Sequence, residues 1–219
     1  MEIKNLRHEV KQSISFSDYR ILQQMLVMIS QQEETPVREE RIHSLCFENE
    51  DKGLQAKKGG SSEKFTIRYQ NEDMANLKLV KKTKKKDCSL ERSSVLSQRD
   101  CQRIIAGDFE FLRGSEDPLL FEFYNHMKQG EIRPKILVDY SRETYIYRPG
   151  NVSVTIDSDF STGFNLSDFL NDRHPTIKRT GQVILEVKYD KYLPEIIARL
   201  ITSEKNARPG KLAFAAYRA

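Results

Sequence analysis

The segment KFTIRYQ, residues 64–70, decides the fold class because its side chains alternate in polarity without interruption. The apolar side chains are Phe65, Ile67 and Tyr69, and the polar ones between them are Lys64, Thr66, Arg68 and Gln70. Successive side chains of a β-strand point to opposite faces of its sheet. The segment therefore predicts a strand with one apolar face and one charged face.

Other segments repeat this pattern. Residues 77–84 place three lysines on one face together with Val80, and residues 7–11 place Arg7, Glu9 and Lys11 on one face. The three lysines are Lys78, Lys82 and Lys84. Further strand-like segments are residues 41–48, 88–92, 133–140, 142–148, 152–157 and 182–189.

Helices are predicted between these strands. Ser17, Ser97 and Asp117 are predicted helix caps, and a last helix is predicted to begin near Pro194. The order is rich in strands with helices inserted, and it lacks regular alternation of strand and helix. This order predicts a mainly antiparallel α+β domain.

Composition sets the broad class of the protein. The 219 residues fit a single domain over 1–219, with 36 Lys and Arg against 32 Asp and Glu, a formal net charge of +4. Three cysteines are too few for a disulfide framework. Residues 1–9 lack the apolar core of a signal peptide, and no apolar run is long enough to span a membrane. These features predict a cytoplasmic protein; a membrane-protein partner stays open.

Two arrangements of the strands fit the alternation. In a sandwich, the apolar faces meet and the lysines are solvated; in a barrel with a polar lumen, helices cover the apolar outside and charges converge inside. The polar faces carry both signs of charge at spaced positions, which favours the barrel. Basic side chains that converge bind phosphate, and carboxylates among them bind a hard divalent cation. The spaced charges are Glu9, Lys11, Arg68, Lys82, Arg142, Glu186 and Lys188.

The lysine-rich residues 78–86 also suggest nucleic-acid binding or a membrane-surface patch. Aromatic residues that could stack on bases are not interleaved with these lysines, which weakens the nucleic-acid interpretation. No nucleic-acid partner is therefore expected.

The order of motifs resembles the VTC domain, the polyphosphate polymerase domain of the triphosphate tunnel metalloenzyme (CYTH-like) superfamily. The resemblance runs from about residue 5 to about residue 203. Its most specific part is RPKILVDYSRETYIY (133–147) followed by LEVKYDKYLP (185–194). The other segments are RHEVK (7–11), RIHSLCFEN (41–49), KFTIRY (64–69), LKLVKKTK (77–84) and NVSVTID (151–157).

The resemblance implies a closed eight-stranded antiparallel β-barrel with flanking helices, the α+β triphosphate tunnel. It implies that ATP or another nucleoside triphosphate binds inside with Mn²⁺ or Mg²⁺. The γ-phosphate would then be transferred to inorganic polyphosphate.

The resemblance also assigns roles to residues of this chain. Lys11, Arg68, Lys82 and Arg142 match basic positions and are expected to be catalytic. Glu186 matches the metal-binding glutamate, and Glu9 is expected to assist it. The residues expected to bind substrate are Arg41, Lys84, Lys135 and Lys188.

Several positions depart from the family pattern. Thr66 and Ser153 stand where arginines are usual, Val80 where an acidic residue is usual, and Glu91 where a lysine is common. Ala216 replaces the lysine of a Ser-Lys-Tyr motif. Each lost phosphate contact removes roughly 1.5–3 kcal/mol of binding free energy. The departures predict a partly degenerate tunnel.

Two alternatives to the polymerase interpretation stay open. A degenerate tunnel would bind polyphosphate or another polyanion, or act as a scaffold, without turnover. An inorganic triphosphatase would hydrolyse the ligand, although RHEVK at 7–11 lacks the Glu-x-Glu-x-Lys motif of typical hydrolases in the superfamily.

Overall fold

The structure is a computed structural model that describes residues 2–3, 6–48, 61–171 and 175–202. Antiparallel strands dominate these residues. The strands are β1 (Glu2–Ile3), β2 (Arg7–Ile14), β3 (Arg38–Glu48), β4 (Ser61–Gln70), β5 (Lys78–Lys85), β6 (Cys88–Val95), β7 (Arg133–Tyr147), β8 (Val152–Gly163), β9 (Ile177–Arg179) and β10 (Val183–Tyr189).

Eight of these strands form a closed path. They pair in the order β6-β2-β10-β8-β7-β3-β4-β5, and β5 pairs in turn with β6. The two short strands lie outside this path, where β1 pairs with β6 and β9 pairs with β8. The prediction of a closed eight-stranded antiparallel β-barrel of the α+β class is therefore confirmed.

Four α-helices are described: α1 (Phe16–Gln32), α2 (Gln98–Ile105), α3 (Pro118–Lys128) and α4 (Glu195–Thr202). The predicted caps Ser97 and Asp117 are confirmed. The predicted cap Ser17 is wrong. The cap is Ser15, whose Oγ accepts a hydrogen bond from the backbone N of Asp18 at 3.1 Å. None of the described helices has the length and apolar character that a membrane span requires.

Contacts within the chain define two compact units. Unit 1 comprises Met1–Asn5, Arg41–Asp139 and Ser161–Lys178. Unit 2 comprises Leu6–Glu40, Tyr140–Phe160 and Arg179–Ala219. The single domain predicted over 1–219 stays a prediction.

Each unit has its own apolar core between strand faces and helices. In unit 1, Leu45, Ile67 and Leu79 from the strands pack with Ile104 of α2 and Phe123 of α3. In unit 2, the core is formed in the same way by strands with helices α1 and α4. Its members include Leu22, Leu26, Val154, Ile156, Leu185, Val187 and Ile197. The apolar strand faces are thus covered by helices, which leaves the polar faces on the opposite side of the strands.

Lys81 is an exception on the apolar side of unit 1. It pairs in register with Phe65 and Arg92, and its side chain is only 3% exposed. Its ammonium donates to Glu63, at 2.7 Å, and to Glu122 of α3. Burial alone would raise the pKa of Glu122, but the hydrogen bonds and charges of Lys81 and Arg92 outweigh it and lower that pKa. Lys81 therefore joins β5 to α3.

Replacing this buried cation will destabilise the fold. In Lys81→Met we expect a loss of about 1–3 kcal/mol in the free energy of unfolding, because Glu63 and Glu122 lose their shared donor. Urea denaturation measures the loss. Lys82→Met is the matched control, since Lys82 follows directly in sequence and points to the other face of β5. Equal destabilisation by both variants would contradict the structural role of Lys81.

Candidate functional site

The polar face of β4, β5 and β6 in unit 1 is called the lysine face here. The strand register defines it, because residues that pair directly across antiparallel strands lie on the same face. One row of paired residues is Lys64, Lys82 and Glu91, and another is Arg68, Lys78 and Val95. A third row contains Lys84 between Ser62 and Ser89. These three strands thus place five basic residues and one carboxylate on one face.

Glu91 provides the carboxylate of the lysine face. Its Oε1 accepts a hydrogen bond from Nη2 of Arg68 at 2.9 Å, and the two side chains are 13% and 21% exposed. Its direct partner in the register is Lys82. The structure therefore brings together Arg68 and Lys82, two predicted catalytic residues, around Glu91, the residue that stands where the family commonly has a lysine. The alternation of Ser89, Glu91 and Ser93 with Leu90 is the sequence signal that could have placed it on this face.

One row of the lysine face has no charge. Thr66, Val80 and Ser93 pair across β4, β5 and β6. This row lies between the row that contains Arg68 and the row that contains Lys82. Two of them, Thr66 and Val80, are departures from the family pattern. The neutral row therefore interrupts the line of positive charge in the middle of the face.

Two of the residues predicted to bind substrate lie on strands outside the lysine face. Arg41, on β3, contacts the Ser161 hydroxyl through Nη2 at 3.5 Å. Lys135, at the start of β7, is 46% exposed and pairs with Glu48. Their predicted roles stay predictions, as does that of Lys84 on the lysine face.

The second polar face lies in unit 2 and is called the balanced face here. It contains both basic residues and carboxylates on β2, β7, β8 and β10, and Arg7 of β2 forms an ion pair with Asp190, which directly follows β10. Glu186 pairs in register with Lys11 and Thr155, and Lys188 pairs with Glu9 and Ser153. Its other charged residues include Glu9, Lys11, Arg142, Asp157, Glu186 and Lys188.

Glu186 lies between two lysines on this face. Its Oε2 accepts from Nζ of Lys11 at 3.1 Å, and its Oε1 lies 2.8 Å from Nζ of Lys188. The glutamate side chain is 5% exposed because it interrupts the apolar strand VILEV at residues 183–187. Both carboxylate oxygens are thus neutralised by ammonium groups.

Arg142 forms a bidentate pair with Asp157. Its Nε and Nη2 donate to the two carboxylate oxygens at 2.7 and 2.8 Å. Burial would lower the pKa of the guanidinium, but the charges of Tyr140, Asp157 and Glu186 and the hydrogen bond to Asp157 raise it well above its ordinary value. Arg142 is therefore a permanent cation, and its carboxylate partner is Asp157 on β8.

The predicted metal ligands are both buried on the balanced face. Glu9 is 4% exposed and lies on β2, two residues before Lys11, which is the register partner of Glu186 on β10. Among the residues that the structure describes, no group of three or more His, Cys, Asp or Glu side chains could hold a metal ion. Two carboxylates fit only an ion that takes its remaining oxygen ligands from phosphate and water, as Mg²⁺ usually does.

The predicted site residues thus fall into contacting groups within each unit. Lys11 and Lys188 each contact Glu186, whereas Arg142 contacts Asp157 and Arg68 contacts Glu91. That all of them line one lumen stays a prediction. Ala216, the remaining departure from the family pattern, lies outside the described residues.

Comparison with known proteins identifies the family. The profile of the VTC domain matches residues 2–211, so the chain belongs to the VTC domain family. A search of curated proteins gave no match.

Solved structures share the fold at low sequence identity. An adenylate cyclase-like protein from Bacillus halodurans superimposes with a TM-score of 0.57 and 16% identity over 100% of both chains. The Mimivirus capping enzyme triphosphatase gives a TM-score of 0.50 and 10% identity over 91% of this chain and 88% of its own. At these identities the likeness establishes the fold alone.

Proposed function

We propose that this domain binds a chain of phosphates, as a nucleoside triphosphate or as inorganic polyphosphate, and transfers the γ-phosphate to a polyphosphate chain. The observation that carries the proposal is the excess of positive charge on the lysine face, where three adjacent strands place five basic residues and one carboxylate. A linear polyanion needs cations spaced along its length. The lysine face provides them in three rows.

The balanced face supports transfer in a different way. Arg142 is held by Asp157, and Lys11 and Lys188 are held by Glu186, so these cations are oriented before any ligand arrives. Phosphoryl transfer depends mainly on positioning and on neutralising charge. In the proposed reaction, a terminal phosphate oxygen of the acceptor chain forms a bond to the γ-phosphorus. The bond to the β–γ bridging oxygen breaks, and the nucleoside diphosphate leaves with the electron pair.

The proposal includes a divalent cation carried by the substrate. Glu186 and Glu9 would hold Mn²⁺ or Mg²⁺, which neutralises charge on the phosphates when bound. For this, Glu186 must exchange ammonium partners for the ion, because Lys11 and Lys188 occupy its oxygens.

The ligands of this proposal are triphosphate and polyphosphate rather than nucleic acid. Among the described residues, the side chains on the lysine face are aliphatic, hydroxyl, amide or charged. The aromatic side chains of β4, Phe65 and Tyr69, point into the core on the opposite face. The face therefore lacks the aromatic surface on which bases stack. A cytoplasmic location and a membrane-protein partner belong to the same proposal.

The test is an assay of the purified protein with ATP and Mn²⁺ or Mg²⁺. We expect polyphosphate that lengthens with time and one nucleoside diphosphate per phosphate added. Release of orthophosphate instead of chain growth would identify a triphosphatase. Absence of both products, together with retained binding of tripolyphosphate in calorimetry, would reject the polymerase.

A binding module without turnover is the second candidate. The neutral row of Thr66, Val80 and Ser93 favours it, because that row interrupts the phosphate-binding cations. Under this alternative, tripolyphosphate binds with the same affinity with and without Mn²⁺. Calorimetry in the presence and absence of EDTA separates it from the metal-dependent enzyme.

A further inference from the structure

Glu91 occupies a position on the lysine face that a bound phosphate would need. Its carboxylate is in hydrogen-bond contact with Arg68, and its backbone pairs with Lys82 in the register. Lys64 lies in the same row, on the far side of Lys82. The only carboxylate among the described residues of this face is therefore placed among its cations.

A carboxylate and a phosphate make the same kind of contact with a guanidinium. Both present oxygens that accept charge-assisted hydrogen bonds from arginine. The Arg68 Nη2 that Glu91 occupies at 2.9 Å cannot donate that hydrogen to a phosphate oxygen at the same time. Since Glu91 is 13% exposed, water screens its charge less than that of a surface residue.

We propose that Glu91 is an internal counter-anion that a phosphate chain must displace from Arg68, and that this residue sets the affinity of the lysine face. This inference rests on the proposed binding of phosphate chains. It makes Glu91 a specificity-determining residue rather than a catalytic one. A ligand with several linked phosphates can replace the Arg68 contact and also reach the lysines of the neighbouring rows, whereas orthophosphate replaces that contact alone.

The first test is the binding of tripolyphosphate to Glu91→Gln, measured by calorimetry at fixed salt. Glutamine keeps the size of the side chain and an acceptor for Arg68 but removes the negative charge. We expect binding about ten-fold tighter than in the wild type, which corresponds to the gain of one charge-assisted contact. Glu63→Gln is the matched control, because Glu63 lies on the opposite face of β4 and its carboxylate accepts a hydrogen bond from Lys81. This control is expected to leave the affinity unchanged.

A double-mutant cycle tests whether Glu91 acts through Arg68. In the Arg68→Ala background, the gain from Glu91→Gln should shrink to less than about three-fold, because displacement from Arg68 no longer occurs. A full ten-fold gain in that background would overturn the proposed displacement.

The outcomes separate this inference from the proposed function. Wild-type binding that Glu91→Gln leaves unchanged overturns the inference alone. Binding by Glu91→Gln with none by the wild type supports the inference and rejects the proposed function of the natural chain. Binding by neither folded protein, with thermal unfolding confirming the fold, overturns both.

Discussion

The double variant Arg68→Ala, Lys82→Ala is expected to lose about 100-fold or more of the affinity for tripolyphosphate. Each side chain offers a charge-assisted contact worth roughly 1.5–3 kcal/mol to a phosphate, which is about ten-fold or more in affinity. The two residues belong to different rows of the lysine face but share Glu91 as a neighbour, so a departure from the sum of the single losses would measure their coupling. Calorimetry of the single and double variants measures both the separate effects and their sum.

The control for this experiment removes a positive charge elsewhere in unit 1. Lys128 is exposed and pairs with Glu110 on the surface, so Lys128→Ala changes the net charge by the same amount as either single variant. We expect its affinity to lie within about two-fold of the wild type, because exposed charges at a distance are screened by salt. Losses of equal size in Lys128→Ala and Lys82→Ala would show that only net charge matters and would reject the lysine face as a site.

The variant Glu186→Gln is expected to lose about 3 kcal/mol in the free energy of unfolding. The buried carboxylate neutralises Lys11 and Lys188, and removing one partner of a buried ion pair leaves charges without compensation. Tripolyphosphate should restore more stability to this variant than to the wild type, because the ligand replaces the missing negative charge. Urea denaturation with and without tripolyphosphate measures both effects.

A surface ion pair in the same unit provides the comparison. Glu195 and Arg199 on α4 are 76% and 78% exposed, so Glu195→Gln should change the free energy of unfolding by less than about 0.5 kcal/mol.

Glu186→Gln should also weaken Mn²⁺ binding to the complex with tripolyphosphate, measured by the enhancement of water proton relaxation. Full retention of Mn²⁺ binding would remove Glu186 from the proposed metal ligands.

The alternation in KFTIRYQ predicted both faces of β4 correctly, because the period of two is a property of the strand backbone. The apolar side chains Phe65 and Ile67 lie in the core of unit 1, and Arg68 lies on the lysine face. Helix α1 shows the limit of local signals. Ser15 and Ser17 are both suitable caps, and the structure selects Ser15.

The partners of the charged residues could not be predicted in this way. Lys81 and Lys82 are adjacent and identical, yet one is buried against Glu122 of α3 and the other lies beside Glu91. Glu122 is far from Lys81 in sequence, so only the packing of α3 against the strands brings the two together. The same holds for Lys11 and Glu186, which meet because β2 and β10 pair.

The sequence by itself determined where most of the strands lie and which of their faces are charged, although the predicted strands 133–140 and 142–148 are one strand, β7. It also indicated the class of closed antiparallel barrels. The strand positions and their charged faces follow from local alternation, whereas the closed barrel was implied by the resemblance of the ordered motifs to the VTC domain. Only the tertiary structure decided how the charges combine, with Glu91 on Arg68 and Glu186 between two lysines. The reason is physical: the register between strands fixes the distance between two charges, and that distance decides which cation meets which carboxylate.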